Sequence, residues 1–127
     1  VVTLNQVRMV NGQSELAVVS LQEYLKTNPK KVYKVPAQGL LGEALENAGR
    51  SEEAGAAYVG AAEDAEVDYL KAQYLLSAAR AYGNAGKVDE AVKALQTIID
   101  KYPKTTALTE ARVRLAELTQ GRMTLAK

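Results

Sequence analysis

A motif that recurs at a fixed spacing constrains this chain most. Gly12, Gly49 and Gly86 each lie 37 residues after the one before. A second set of residues keeps the same spacing: Ala17, Ala54 and Ala91. A fixed period of roughly 20 to 50 residues is typical of stacked repeat architectures. The sequence therefore predicts a fold built from three similar units.

The apolar residues around each glycine indicate what a unit contains. Before the glycines, the aligned apolar positions are three or four residues apart, as on one face of a helix. After them the same stripe returns, for example at Ala91, Leu95, Ile98 and Ile99. Each unit therefore reads as helix, glycine turn, helix, with the glycine in the left-handed conformation that ends a helix. Acidic residues just after each turn favour the positive end of the second helix dipole.

Composition excludes several classes of function. The chain has 127 residues, 47% hydrophobic and 24% charged, and contains no Cys and no His. Without these two residue types the usual zinc, haem and iron-sulfur ligands and the common nucleophile-base pairs are absent. We therefore expect no enzyme activity, no cofactor and no metal.

The charge pattern argues against a nucleic-acid partner. The net charge is only +1, and no continuous basic stripe with interleaved aromatic residues runs along the chain. Lys26, Lys30, Lys31 and Lys34 cluster near Pro29 and Pro36; we interpret this segment as a solvated loop between units. We expect neither nucleic-acid binding nor direct membrane contact by the chain of residues 1–127.

In these features the chain resembles the tetratricopeptide repeat family. The third unit carries the residues of that pattern: Leu75, Ala78, Ala79, Tyr82, Gly86, Ala91, Leu95, Ile98 and Pro103. The second matches at Leu41, Gly42, Leu45, Gly49, Ala54, Tyr58 and Ala61, and the first from Gly12 onward. The resemblance implies an all-α fold, a right-handed superhelical array of helix-turn-helix repeats in one domain over 1–127. The units would cover about 1–34, 35–70 and 71–104, with a C-terminal capping helix over about 105–120.

The resemblance also implies a noncatalytic scaffold or adaptor. Proteins of this family mostly bind a peptide or a partner helix in a groove lined by the first helix of each unit. Carried over by register, that groove would be lined by Gln6, Met9, Glu43, Glu46, Asn47, Gln73, Leu76, Arg80 and Asn84. The Lys, Asn and Arg residues that clamp the terminal carboxylate of chaperones in one subfamily are absent here.

The alternative is a structural module that self-associates or continues a longer solenoid, with no ligand in the groove. The first helix, about Val1 to Asn11, should expose Val2, Met9 or Val10, and weak homo-oligomers would form through this end. The segments GKVDEAVKALQTIIDKYP and EARVRLAEL are similar to repeats of bacterial envelope proteins, of the types of the ancillary subunit of the Sec translocon and the Tol-Pal coordinator. This similarity favours an envelope location, with an anchor upstream of Val1, over the cytoplasm.

Overall fold

The fold consists of α-helices in series. The computed structural model describes residues 1–126, with side chains for residues 1–120. Over this range there are seven helices and no strand: α1 (Val2–Val10), α2 (Ser14–Lys26), α3 (Lys31–Asn47), α4 (Ser51–Asp64), α5 (Asp68–Asn84), α6 (Val88–Lys101) and α7 (Leu108–Ala126). Each helix packs against the next, and α1 also contacts α3. The predicted all-α helical repeat fold is confirmed, while the handedness of its superhelix stays a prediction.

The same turn joins the two helices of each unit. Gly12, Gly49 and Gly86 have φ values of 77°, 79° and 75°, the left-handed region predicted for them. The residue after each glycine donates its backbone N–H to a carbonyl five residues back, as Arg50 does to Leu45 and Lys87 to Tyr82, both at 2.8 Å. These bonds satisfy carbonyls that a helix end otherwise leaves without partners. The 37-residue period of the sequence therefore corresponds to a backbone turn that recurs every 37 residues.

The core lies between successive helices and follows the 37-residue register. Ala17, Ala54 and Ala91 are fully buried, and a large side chain is buried one turn later in each unit: Leu21, Tyr58 and Leu95. The small residue lets the neighbouring helix approach and the large one fills the space beside it. Burial of this alternating set adds to the hydrophobic stabilisation of the fold.

Three tyrosine rings pack against glycines inside helices, where they bring helices close together. An added Cβ on Gly42 would lie 2.7 Å from the ring of Tyr58, and one on Gly39 would lie 2.7 Å from that of Tyr74. Gly55 holds Tyr82 in the same way. These three contacts join α3 to α4, α3 to α5 and α4 to α5. A side chain at any of the glycines would force the ring out of its place.

The prediction of a loop around the lysine cluster was wrong in part. Helix α3 begins at Lys31, so Lys31 and Lys34 are helical and Pro36 lies inside the helix. Proline inside a helix removes one backbone donor and crowds the carbonyl four residues earlier, but the neighbouring residues Val35 and Ala37 are both buried. Packing of this face therefore outweighs the helix-breaking tendency of Pro36. Lys34 is bound to Asp64 of α4 at 3.0 Å.

Ion pairs repeat between neighbouring units. Arg50 lies 3.2 Å from Glu15 of the first unit, and Lys87, its equivalent one period later, lies 3.5 Å from Glu52. Exposed pairs of this kind contribute little free energy. Their repetition shows that the first and second units stack in the same way as the second and third.

The two ends of the array differ in how much apolar surface is covered. At the C-terminal end, Ala107 and Ala111 are buried and Leu115 and Leu118 pack partly against the core. At the N-terminal end, Leu4 is 52% exposed, whereas its equivalent Leu41 is 9% exposed. Val10 is exposed as predicted, while Val2 and Met9 are only partly so. None of the helices within residues 1–126 combines the length and apolar character needed to cross a bilayer.

Replacing Gly86 by Val should lower the free energy of unfolding by more than about 1 kcal/mol, because a β-branched residue is strained at φ 75°. A Cβ there meets no atom within 4 Å, so the loss of stability comes from backbone strain and not from a steric clash. Gly83→Ala is the matched control, since Gly83 is helical and equally open; it should stabilise by about 0.5–1 kcal/mol. Thermal and urea unfolding measure both, and an unchanged midpoint for Gly86→Val would contradict the assigned turn.

Replacing Gly42 by Ala should destabilise by about 1–3 kcal/mol, because its methyl group would overlap the ring of Tyr58. The third unit has Ala79 and Leu95 at the equivalent positions. The double variant Gly42→Ala with Tyr58→Leu should therefore recover part of the loss. Urea unfolding of the single and double variants gives the coupling energy, and strictly additive effects would contradict a direct ring contact.

Candidate functional site

The predicted groove residues lie on three helices. Gln6 and Met9 are on α1, where Gln6 is exposed and Met9 packs partly against the core. Glu43, Glu46 and Asn47 are on α3, and the remaining four, Gln73, Leu76, Arg80 and Asn84, are on α5. Asn47 and Asn84 are the exposed last residues of their helices. Of the nine, Glu43, Glu46 and Arg80 are brought together by direct bonds or electrostatic interaction.

Glu46 and Arg80 form a two-pronged ion pair between α3 and α5. Arg80 donates from Nη2 to Glu46 Oε1 at 2.8 Å and from Nε to Oε2 at 3.2 Å. The Tyr58 hydroxyl donates to Glu46 Oε1 at 2.6 Å, and the Arg80 guanidinium lies 5.9 Å from the Tyr58 ring centroid. Three helices therefore meet at one carboxylate. Charge-assisted, bidentate bonds of this kind orient both partners.

This geometry changes the acidity of the groups involved. Burial disfavours the charge on Glu46, but the hydrogen bonds from Arg80 and Tyr58 outweigh burial and lower its pKa below 4.5. Burial, and then the hydrogen bond to Glu46, raises the pKa of Tyr58 well above its ordinary value. Glu46 is thus ionised and Tyr58 is protonated at neutral pH, which keeps the cluster intact.

Glu43 lies one turn from Glu46, and its pKa is shifted in the opposite direction. Arg80 donates its hydrogen bonds to Glu46, so the positive charge of Arg80 acts on Glu43 only at longer range. Desolvation, followed by repulsion from Glu46, raises the pKa of Glu43 above 4.5, although Arg80 partly opposes this. Glu43 therefore presents a carboxylate to solvent whose charge the protein compensates incompletely.

A largely apolar hollow of about 450 Å³ lies between the N-terminal halves of α3 and α5. Val32, Val35 and Pro36 of α3 line one side. Leu70 and Tyr74 of α5, with the α4–α5 link over 65–67, line the other. Val32 is 70% exposed and Tyr74 is half-buried. We call this the α3–α5 hollow; Lys31 and Asp64 also line it, so its rim is charged.

The residues of the α3–α5 hollow were not predicted. Tyr74 has Ala37 and Ala111 at its equivalent positions, so a search for repeated residues passes over it. Tyr58 was predicted only as a residue of the repeat pattern. The equivalent residues in the other two units, Leu21 and Leu95, have no hydroxyl, so the repeat gave no sign of the hydrogen bond from Tyr58 to Glu46. The available signal was the apolar run Val32, Val35 and Pro36, which the loop interpretation of the lysine cluster hid.

A second hollow lies between α4 and α6 and is less suited to a partner. Its lining includes the charged residues Glu63, Lys71, Glu90, Lys93 and Lys101. The Lys71 ammonium donates to the carbonyls of Ala62 and Glu63, at 3.1 and 3.2 Å. Lys71 therefore caps the end of α4, where a cation is favoured by the helix dipole. We assign it a structural role.

The arrangement offers binding groups rather than reactive ones. Within the part of the chain that the structure describes, no group of three His, Cys, Asp or Glu residues could hold a metal ion. The carboxylates of the cluster are bound to Arg80 or open to solvent, and no nucleophile-base pair accompanies them. An apolar hollow with charged residues at its rim is the composition of a recognition surface.

The molecule is an all-α helical repeat protein with an apolar hollow between α3 and α5. Residues 73–105 match the family model of the tetratricopeptide repeat, which supports assignment to that superfamily over the third unit. Such repeats commonly mediate protein-protein interactions and are generally noncatalytic. No curated protein and no solved structure matches the chain.

Glu46→Gln and Glu43→Gln should change stability in opposite directions. At pH 7 Glu46→Gln should lower the free energy of unfolding by about 1 kcal/mol, the low end for hydrogen bonds to charged groups because Arg80 is half-exposed. Since the pKa of Glu46 is lowered, that stabilisation is present above pH 4.5 and is lost as the pH falls through the folded-state value. Glu43→Gln should stabilise at pH 7, and its gain should vanish below pH 4.5 because the pKa of Glu43 is raised.

Urea unfolding between pH 3 and pH 8 tests this pair of variants. The two curves should diverge from each other above pH 4.5 and converge below it. Parallel curves, or a Glu43→Gln variant as unstable as Glu46→Gln, would contradict the assignment of Arg80 to Glu46.

Proposed function

We propose that the chain is a noncatalytic protein-interaction module that binds a peptide or a partner helix along its groove. The groove residues are those predicted from the register: Gln6, Met9, Glu43, Glu46, Asn47, Gln73, Leu76, Arg80 and Asn84. The family match over residues 73–105 supports the general activity. We propose in addition that the partner binds in the groove, at these nine residues.

The observation that carries this proposal is the α3–α5 hollow, which lies on the same two helices as the Glu46–Arg80 pair. Exposed apolar residues here are grouped rather than scattered, with Val32, Val67 and Leu70 around one hollow. Grouped apolar surface with a polar rim marks interaction sites. The Glu46–Arg80 pair holds α3 and α5 at a fixed separation, so the surface is formed before a partner arrives and less entropy is lost on binding.

Photo-crosslinking tests the place of binding. A photoreactive amino acid at Gln73, in the groove, should form a covalent product with a partner protein in the cell that makes this chain. The same amino acid at Gln96, exposed on α6, is the matched control and should form none. Equal products at both positions, or a product at Gln96 alone, would remove the groove from the proposal.

Self-association is the second candidate, and the uncovered face of α1 favours it. Leu4 and Val7 are exposed, whereas their equivalents one period later, Leu41 and Ala44, are buried under the preceding helices. This face is therefore a stacking surface without a neighbour. A second copy of the chain could cover it through a self-complementary contact.

Light scattering separates the two candidates. If the groove is the binding surface, the molar mass should stay monomeric from micromolar to millimolar concentration. If α1 mediates self-association, the mass should rise and Leu4→Ser with Val7→Ser should abolish the rise. Amide hydrogen exchange adds a local readout: α1 should exchange faster than α5 in a dilute sample, and protection of α1 at high concentration would favour self-association.

A chaperone-like adaptor role and a bacterial envelope location are further parts of the proposal. The similarity of GKVDEAVKALQTIIDKYP and EARVRLAEL to envelope repeat proteins supports both. Fractionation of the producing cells, with the native gene product followed by an antibody, tests the location.

A further inference from the structure

The exposed residues of α3 place an apolar and an acidic group in line. Val32, Pro36, Gly39 and Glu43 follow a spacing of four, three and four residues, which puts them on one face of the helix. Val32 and Pro36 line the α3–α5 hollow. Gly39 has no side chain, and the ring of Tyr74 covers it. A partner lying along this face would thus meet the hollow first, then Tyr74, then Glu43.

The distance between the two groups is set by the helix. Pro36 and Glu43 are seven residues apart, which is roughly 10 Å along the axis at 1.5 Å per residue. A peptide in the polyproline II conformation rises about 3.1 Å per residue and has three residues per turn, so residues three positions apart point to the same side and lie roughly 9 Å apart. A side chain in the hollow and a second one three residues away would therefore reach both places.

Charge decides which second side chain fits. Arg80 holds Glu46 and Lys34 holds Asp64, while Lys31, at the rim of the hollow, interacts electrostatically with Asp64. Partial burial, followed by repulsion from the neighbouring Glu46, disfavours the charge of Glu43 in the free protein. A cation from a partner would relieve that repulsion and gain a hydrogen bond to the carboxylate.

We propose that the groove selects a segment in the polyproline II conformation with a large apolar residue three positions from an arginine or lysine. The apolar side chain occupies the α3–α5 hollow and the basic group pairs with Glu43. This inference rests on the proposed function and narrows it to one class of partner, a basic and apolar peptide segment.

The probe is a capped, ten-residue peptide with leucine and arginine separated by two alanines in a serine-glycine background. Two matched peptides replace the arginine by glutamine or by glutamate, and a third reverses the order of leucine and arginine. Titration of the isotope-labelled protein, followed by backbone NMR shifts, gives both the affinity and the binding surface. We expect shifts in α3 and α5, with the glutamine peptide about tenfold weaker than the tighter arginine peptide, as for one charged hydrogen bond.

Protein variants assign the effect to the proposed groups. In Glu43→Gln the preference for arginine over glutamine should disappear, and in Glu43→Lys the glutamate peptide should become the tightest. Val32→Ser should weaken every peptide equally, and because Val32 is 70% exposed the fold should be unaffected. Glu23→Gln on α2 and Val113→Ser on α7 are the matched controls, each an exposed residue outside the groove, and should change nothing.

Two results would overturn the inference, and they are distinguishable. Equal binding of the arginine, glutamine and glutamate peptides, with shifts in α3 and α5, would remove the basic preference and leave the groove function in place. Shifts with none of the peptides in α3 or α5 would remove the peptide partner altogether. The crosslinking at Gln73 then decides separately whether the groove binds a protein by other means.

Discussion

The close approach of helices α3, α4 and α5 is the constraint on which the rest of the structure depends. It is set by three tyrosine rings lying on three helical glycines. An aromatic ring buries a large apolar area, and a glycine lets the partner backbone come near enough to cover it. Glycine weakens the helix that contains it, so each contact exchanges local helix stability for interhelical packing. The position of Tyr74 over Gly39, in turn, shapes the wall of the α3–α5 hollow.

Electrostatic interactions refine a frame that packing creates. The Glu46–Arg80 pair connects helices that belong to different units, and the Tyr58 hydroxyl joins the carboxylate from a third helix. Tyr58 therefore has two roles, with its ring against Gly42 and its hydroxyl on Glu46. Because packing and hydrogen bonding converge on one side chain, the core and the groove surface are coupled. A substitution at Gly42 that displaces the Tyr58 ring would therefore also disturb the hydrogen bond from Tyr58 to Glu46.

The repeated parts of the molecule were predictable from the sequence, and the unrepeated parts were not. The turn glycines and the buried alanines stand at equal spacing, and periodicity found them because each obeys the same local constraint three times. Tyr74, Arg80 and Glu46 have different residues at their equivalent positions, so periodicity contains no information about them. Their contacts depend on how α3 and α5 approach, which no local pattern encodes. Pro36 misled the prediction because its local preference was overruled by the buried faces on either side.

The ion pairs between units have a consequence for how such a chain can change. Arg50 with Glu15 and Lys87 with Glu52 are the same contact displaced by one period, so the surface ion pair is of one kind at both junctions. A 37-residue unit gained by duplication would keep this ion pair at its boundary. The tyrosine–glycine contacts between units and the cluster of Glu43, Glu46 and Arg80 do not share this freedom, because they occur in one arrangement only. A longer array would therefore not copy the proposed binding surface.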